Sequence, residues 1–229
     1  MKFKTYGKPE HDSIFLIHDL GLNPLQYEKT AELLSRKYFV VLPELDGHGT
    51  SAIPFESIRS QSRQILAYID KNRQGQVMLV GGSGLGAMIA LDILSQRIFT
   101  ASHALLDGLA LHENLSLLPL KLSRRYTALK RNPKMLGEVI SRPDKETLTA
   151  AIQEMKNFDM PSLTGLRTKV LITYGENTSR STKKTATQLF RTIDDSSLEE
   201  MEGMSHGDLT IENPHKLAIL LFKLISSLS

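Results

Sequence analysis

Cysteine is absent from the 229 residues, which removes disulfides, thiolate nucleophiles and Cys-ligated zinc together. Long apolar runs are missing too: none approaches the roughly 18–20 residues of a membrane-spanning helix, and residues 1–10 carry no apolar signal-peptide core. Stable membrane insertion and export are therefore not expected, and the chain reads as cytoplasmic. Charge of one sign is also scarce. Twenty-eight basic residues against 25 acidic ones leave +3, a weak field that does not by itself argue for nucleic acid. What remains is an ordinary globular composition, about 45% apolar with Gly counted and Tyr left out, which excludes a disordered or collagenous chain. At about 150 residues per domain the length allows one or two domains, and with no repeat, low-complexity stretch or long linker a single core is the simplest reading.

Strand-like and helix-like segments alternate over the first hundred residues, as a parallel sheet covered by crossover helices requires. Ser13-Ile14-Phe15-Leu16-Ile17 and Tyr38-Phe39-Val40-Val41-Leu42 are short runs rich in β-formers, suited to strands buried on both faces. Residues 25–37 between them read as a helix opened by Asn23-Pro24, a cap and first-turn pair. A second helix is expected over 55–72, then the strand Val77-Met78-Leu79-Val80, a Gly-rich turn, a helix over 87–95 and a strand over 103–107. From 111 to 166 the pattern changes to helical segments broken by Pro119, Pro133, Pro143 and Pro161, without a convincing strand. This stretch reads as an inserted cap, with 1–110 and 167–229 forming the core. Strands over 169–173 and 198–201 and helices over 183–191 and 214–228 close the α/β sheet.

Val77 to Leu91 reads VMLVGGSGLGAMIAL: strand, tight turn of small residues, helix. A nucleophile elbow has this order, and it needs small residues two before and two after the nucleophile so that strand and helix backbones can approach. If Ser83 is the elbow residue, its flanks are Gly81 and the branched Leu85. If it is Gly84, the flanks are Gly82 and Gly86, and the packing rule is met. Counting along the strand, Leu79-Val80-Gly81-Gly82-Ser83, favours Ser83 instead. Both registers stay open, with packing favouring Gly84.

With these residues the chain resembles the α/β-hydrolase superfamily, in its serine esterase and lipase-like form, and the likeness covers nearly the whole chain. The resemblance implies a mostly parallel central sheet with helices on both faces and a small helical cap. His18-Asp19-Leu20-Gly21 resembles the oxyanion segment, with Asp19 where Gly is usual. Pro43-Glu44-Leu45-Asp46-Gly47-His48-Gly49-Thr50-Ser51 resembles the Pro-Asp-x-x-Gly-His-Gly-x-Ser loop, with Glu44 at the Asp position. Gly203-Met204-Ser205-His206 before Glu212-Asn213-Pro214 is similar to the family's histidine loop. The nucleophile position then holds Gly84, which has no side chain to attack with, so the chain is either nucleophile-deficient or uses Ser83. Tyr174-Gly175-Glu176-Asn177-Thr178 stands where Gly-Glu-x-Asp is usual, so no acid occupies position 178. Asp107, at the end of the preceding strand, is the alternative acid that would orient His206, and Glu176 is the fallback.

By that resemblance His206 is general base and then acid, and the backbone N–H groups of Leu20 and Leu85 form the oxyanion hole, each donor worth roughly 3–4 kcal/mol. His18 is expected to brace the oxyanion loop and His48 to serve a tight turn between glycines rather than catalysis. Asp107 has a plain reading as a strand-end residue, and Ser83 as a small residue at the pocket mouth. Lys121, Arg124, Arg125, Lys130, Arg131 and Lys134 make the cap basic: either a solvated face or an attractor of an anionic partner. Leu115-Ser116-Leu117-Leu118-Pro119-Leu120 would line an acyl pocket or form cap core. No cofactor is expected, and the partner is a small-molecule acyl substrate. The competing classes are a serine hydrolase for an ester, thioester or amide, a noncatalytic binder or scaffold, and a cofactor-free lyase or oxygenase. The Gly81-Gly82-Ser83-Gly84-Leu85-Gly86 spacing is a weak match to a dinucleotide loop, and no Lys-Ser/Thr follows to make a P-loop.

Overall fold

The computed structural model describes residues 1–111, 126, 131 and 133–227. Seven strands form one sheet: β1 Lys2–Tyr6, β2 Ser13–Ile17, β3 Phe39–Glu44, β4 Gln76–Ser83, β5 Thr100–Asp107, β6 Lys169–Gly175 and β7 Ser196–Met201. Their spatial order is β1-β3-β2-β4-β5-β6-β7, and every pairing is parallel except β1 with β3. The helices are α1 Glu28–Leu34, α2 Ile58–Arg73, α3 Leu85–Gln96, α4 Pro133–Val139, α5 Lys145–Asn157, α6 Arg180–Thr192, α7 Asp208–Ile211 and α8 Pro214–Ser226.

All five residues of β2 are buried, and they divide between the two faces with the two-residue period of a strand. Ile14 and Leu16 join Val40, Leu42, Leu79 and Leu105 on the face covered by α1 and α8. Phe15 and Ile17 join Val41, Val80 and Leu106 on the face covered by α2, α3 and α6. Ala151, Ile152 and Met155 of α5 pack into that second cluster, so this helix of the 111–166 segment shares the main core. Within the 111–166 segment, residues 112–125, 127–130 and 132 lie outside the described residues, including the Leu115-to-Leu120 stretch.

The structure departs from the sequence expectation in several elements. The segment over 25–37 is split into a 3-10 turn, Pro24–Tyr27, capped by the Asn23 side chain on the Leu25 N–H at 2.9 Å, followed by α1. β1 was not expected: its KFKTY sequence is mostly exposed because it is an antiparallel edge strand, where charge on the open side is tolerated and the burial signal is weak. Among the described residues no helix is long and apolar enough to cross a membrane.

The topology places the site. The chain leaves β2 toward β3 on one side and returns to β4 on the other, so the carboxyl ends of β2 and β4 flank the point where strand order reverses. Crossover connections diverge there and leave a crevice, the usual ligand position in open parallel sheets. Asp19 follows β2 and Gly84 follows β4.

Candidate active site

The strand-to-helix turn between β4 and α3 is centred on Gly84, at φ 52° and ψ −112°, a backbone conformation that side chains resist. Its flanking glycines are packed hard: a Cβ on Gly82 would overlap the Gly86 backbone, and one on Gly86 would overlap the Ile17 carbonyl. Ser83 is the last residue of β4, fully buried, and its hydroxyl donates to Asp107 Oδ2 at 2.9 Å.

Where a serine at position 84 would project, the carboxylate of Asp19 already sits. A Cβ built on Gly84 would overlap its Oδ1, its Cγ and its Oδ2. Asp19 is fully buried, and Oδ1 accepts the backbone N–H groups of Leu20 and Leu85, each at 2.7 Å. Oδ2 lies 2.6 Å from His206 Nε2. Thus the two amides expected to hold an oxyanion, and the imidazole expected to activate a nucleophile, converge on one carboxylate of this chain. Its own backbone N–H donates to Gln26 Oε1 at 2.8 Å, and Gln26 Nε2 donates to Thr210 Oγ1 at 2.8 Å, so the Asp19 loop is tied to the helix just after His206.

This arrangement sets the imidazole's direction. An ionised carboxylate only accepts, so His206 Nε2 carries the proton and donates it. A serine hydrolase needs the reverse, an Nε2 lone pair toward the nucleophile's hydroxyl. Asp107 does not supply the usual orienting contact. Its Oδ1 accepts from Thr173 Oγ1 at 2.8 Å and its Oδ2 from Ser83, and no hydrogen bond joins it to His206. Burial pushes the Asp107 carboxyl above the ordinary carboxylate range, against the lowering effects of Thr173, His206 and Ser83. Glu176 is exposed and accepts the Gly203 N–H at 2.7 Å, so the fallback acid serves the β7–α7 turn instead. Tyr126 stacks obliquely on the far side, its ring 5.5 Å from that of His206, and its hydroxyl donates to the Leu20 carbonyl at 2.7 Å.

His18 is fully buried, and its Nδ1 donates to the Asp19 carbonyl at 3.0 Å while its Nε2 accepts the Leu45 N–H at 3.1 Å. The Nε2 contact requires the neutral ring, and burial followed by the charge of His48 lowers its pKa to about 3. His48 bonds the Asp46 carbonyl through Nδ1 at 3.0 Å, a turn contact. The sign of the pH effect follows. The folded pKa of His18 lies below the unfolded 6.5, so between pH 6.5 and about 3 unfolding takes up a proton and stability drops as the pH is lowered. One such proton changes stability by about 1.4 kcal/mol per pH unit. Nitrogen-15 NMR is expected to show the His18 ring neutral, with the proton on Nδ1, at pH 5; a doubly protonated ring at that pH would contradict the brace.

Of the basic residues noted in the cap, Lys121, Arg124, Arg125 and Lys130 lie outside the described residues. Arg131 is committed elsewhere: its guanidinium pairs with Asp208 at 2.8 Å and Glu212 at 2.6 Å, fastening the inserted segment to the helix after His206. Those two carboxylates raise its pKa further.

The family model described as the alpha/beta hydrolase family matches residues 14–219. The chain belongs to that family. Among solved structures it is similar to the enol-lactonase of Burkholderia xenovorans LB400, at TM-score 0.85 and 16% identity over 99% of this chain and 96% of that one. A hydrolase from Pseudomonas aeruginosa PA01 aligns at TM-score 0.84 and 13% identity, over 98% and 94% of the two chains. A thermophilic esterase from Thermogutta terrifontis aligns at 0.79 and 17%, over 98% and 94%. At these identities the likeness is one of fold. No curated protein sequence matches the chain.

Asp19 is the site residue to which the sequence reading assigned no role. The signal was available in paired form: a side chain stands at 19 where Gly is usual, and Gly stands at 84 where a side chain is usual. The two positions follow different strands, and only their meeting in space gives the exchange its meaning.

Proposed function

We propose that this chain is a non-hydrolytic member of the alpha/beta hydrolase family, whose Asp19–His206 pair replaces the serine–histidine pair and closes the oxyanion hole from within. One observation carries the reading: a single buried carboxylate accepts from the Leu20 N–H, the Leu85 N–H and His206 Nε2. Charge-assisted hydrogen bonds of this kind are roughly twice as strong as neutral ones, so a neutral ester carbonyl does not displace the carboxylate. Gly84 offers no nucleophile, and the Ser83 hydroxyl is spent on Asp107. The resemblance to an enol-lactonase and an esterase supports a small apolar acyl compound as the ligand, bound without acyl transfer.

A fluorophosphonate probe and aryl esters of two to eight carbons test this. No labelling and no turnover above solvent are expected, with Ser83→Ala indistinguishable from the parent chain. A fluorophosphonate adduct on Ser83 would overturn the proposal.

The 2.6 Å Asp19–His206 contact favours one second reading, proton transfer to or from a carbon acid without acyl chemistry. Deuterium exchange into a bound carbon acid, lost in His206→Gln, is its signature.

A further inference from the structure

At the opposite end of the sheet from Asp19, a cleft of about 510 Å³ opens at the amino ends of β5 and β6. Arg97, Arg167 and Lys169 line it, with Asp195 the carboxylate among its walls. Among the described residues none of the three cations forms an ion pair. The Arg97 guanidinium donates to the Thr164 carbonyl and Lys169 Nζ to the Ser227 carbonyl at 3.5 Å. Three cations against the one carboxylate of Asp195 leave the lining net positive, and a bound anion relieves the repulsion among them. His103, half-buried at the cleft floor, is held toward its neutral form by burial, despite its contact with the Met78 carbonyl, and Lys169 acts the same way.

Arg97 adds a second observation. It ends α3 in the left-handed region, at φ 52° and ψ 21°, where glycine is favoured and a long side chain is strained by roughly 1 kcal/mol. Part of its charge answers the carbonyl end of the α3 dipole, which leaves Arg167 and Lys169 facing the single carboxylate of Asp195.

The apolar side of the same region is also open. Phe99 lines this cleft and a neighbouring one of about 380 Å³, which Leu66, Ile69 and Ile98 share. Ile98 is 69% exposed, more than any other large hydrophobic residue in the described part of the chain. An isolated exposed isoleucine needs no explanation, but one at the rim of a groove that begins at unpaired cations does.

We propose that these adjoining clefts form a second binding site, independent of Asp19, for an anionic amphiphile: a charged head between Arg167 and Lys169 and an alkyl chain running past Phe99 toward Ile98. The reading stands whether or not the site at Asp19 turns over substrate.

NMR titration of the full chain with monomeric octyl phosphate tests it, with inorganic phosphate and 1-octanol as the head-only and chain-only probes. Octyl phosphate is expected to bind at least about tenfold more tightly than either, to shift amides of Ala101, Ser102 and Lys169 but not of Leu20 or Leu85, and to weaken as salt screens the head. The Arg167→Ala/Lys169→Ala variant should lose about tenfold for octyl phosphate and nothing for octanol. Ile98→Ser should weaken octyl phosphate and spare inorganic phosphate; both changes are at the surface, and an unchanged melting temperature verifies the fold. Equal binding of octanol and octyl phosphate, shifts confined to the Asp19 region, or binding to anionic vesicles alone would each overturn the proposal.

Discussion

Gly84→Ser alone is expected to yield no esterase, and Gly84→Ser combined with Asp19→Gly to yield a measurable one. In the single variant the new Cβ overlaps the Asp19 carboxylate. The turn at φ 52° and ψ −112° also strains any side chain, by roughly 1–3 kcal/mol. The carboxylate still holds both backbone donors and keeps His206 Nε2 protonated toward it. Removing Asp19 alone frees the donors but supplies no nucleophile. Together the two changes provide a hydroxyl beside an imidazole and two free N–H groups, each donor worth about 3–4 kcal/mol to an acyl-transfer transition state. The gain is therefore expected to be non-additive: at least about a hundredfold in kcat/KM for a short aryl ester over either single variant. A double variant no faster than its parents, with the fold intact, would remove the Asp19-for-serine exchange from consideration.

Asp19→Ala is expected to cost about 3 kcal/mol of stability at neutral pH, read as a lower urea midpoint. The loss comes from two buried amides left without an acceptor and a half-buried imidazole left without its anion. Asp19→Asn should cost less, because its side-chain oxygen still accepts from Leu20 and Leu85. Acetate adds a sharper readout. In Asp19→Ala the vacated cradle matches a free carboxylate, so acetate is expected to raise the melting temperature with concentration, by mass action, and to leave the parent chain unaffected. Equal acetate responses in the two proteins would mean that the cradle does not recognise carboxylate.

Most of the architecture was legible because strand burial on both faces writes a dense apolar signal. Ser13–Ile17 coincides with β2, and Asn23 caps the segment that follows it, though that segment opens as a 3-10 turn rather than as the expected continuous helix. Edge strand β1 escaped because two lysines and a mostly exposed surface leave it no buried apolar run, and α7 because four residues carry too little periodicity to register. The site was legible in its positions more than in its contacts. Small residues at 82 and 86 pointed to position 84, and the β4–α3 turn is centred there. Asp107 was expected beside His206 at the sheet end. Its oxygens bond instead to Ser83 and Thr173, hydroxyls on the adjacent strands β4 and β6, partners that a strand-by-strand reading does not pair.

Sequence alone determined the layered α/β architecture, the Gly-rich turn at the end of a buried strand, and the loss of any hydroxyl or thiol from position 84, because each is a local pattern of size, polarity and spacing. Tertiary structure decided the consequence. Asp19 and Gly84 lie 65 residues apart, just beyond the ends of two strands that pair side by side, and only that pairing brings a carboxylate into the space a missing side chain left, between two amides and an imidazole. A buried charge is tolerated only where several donors meet it, and which donors meet is a property of the folded sheet rather than of any stretch of chain.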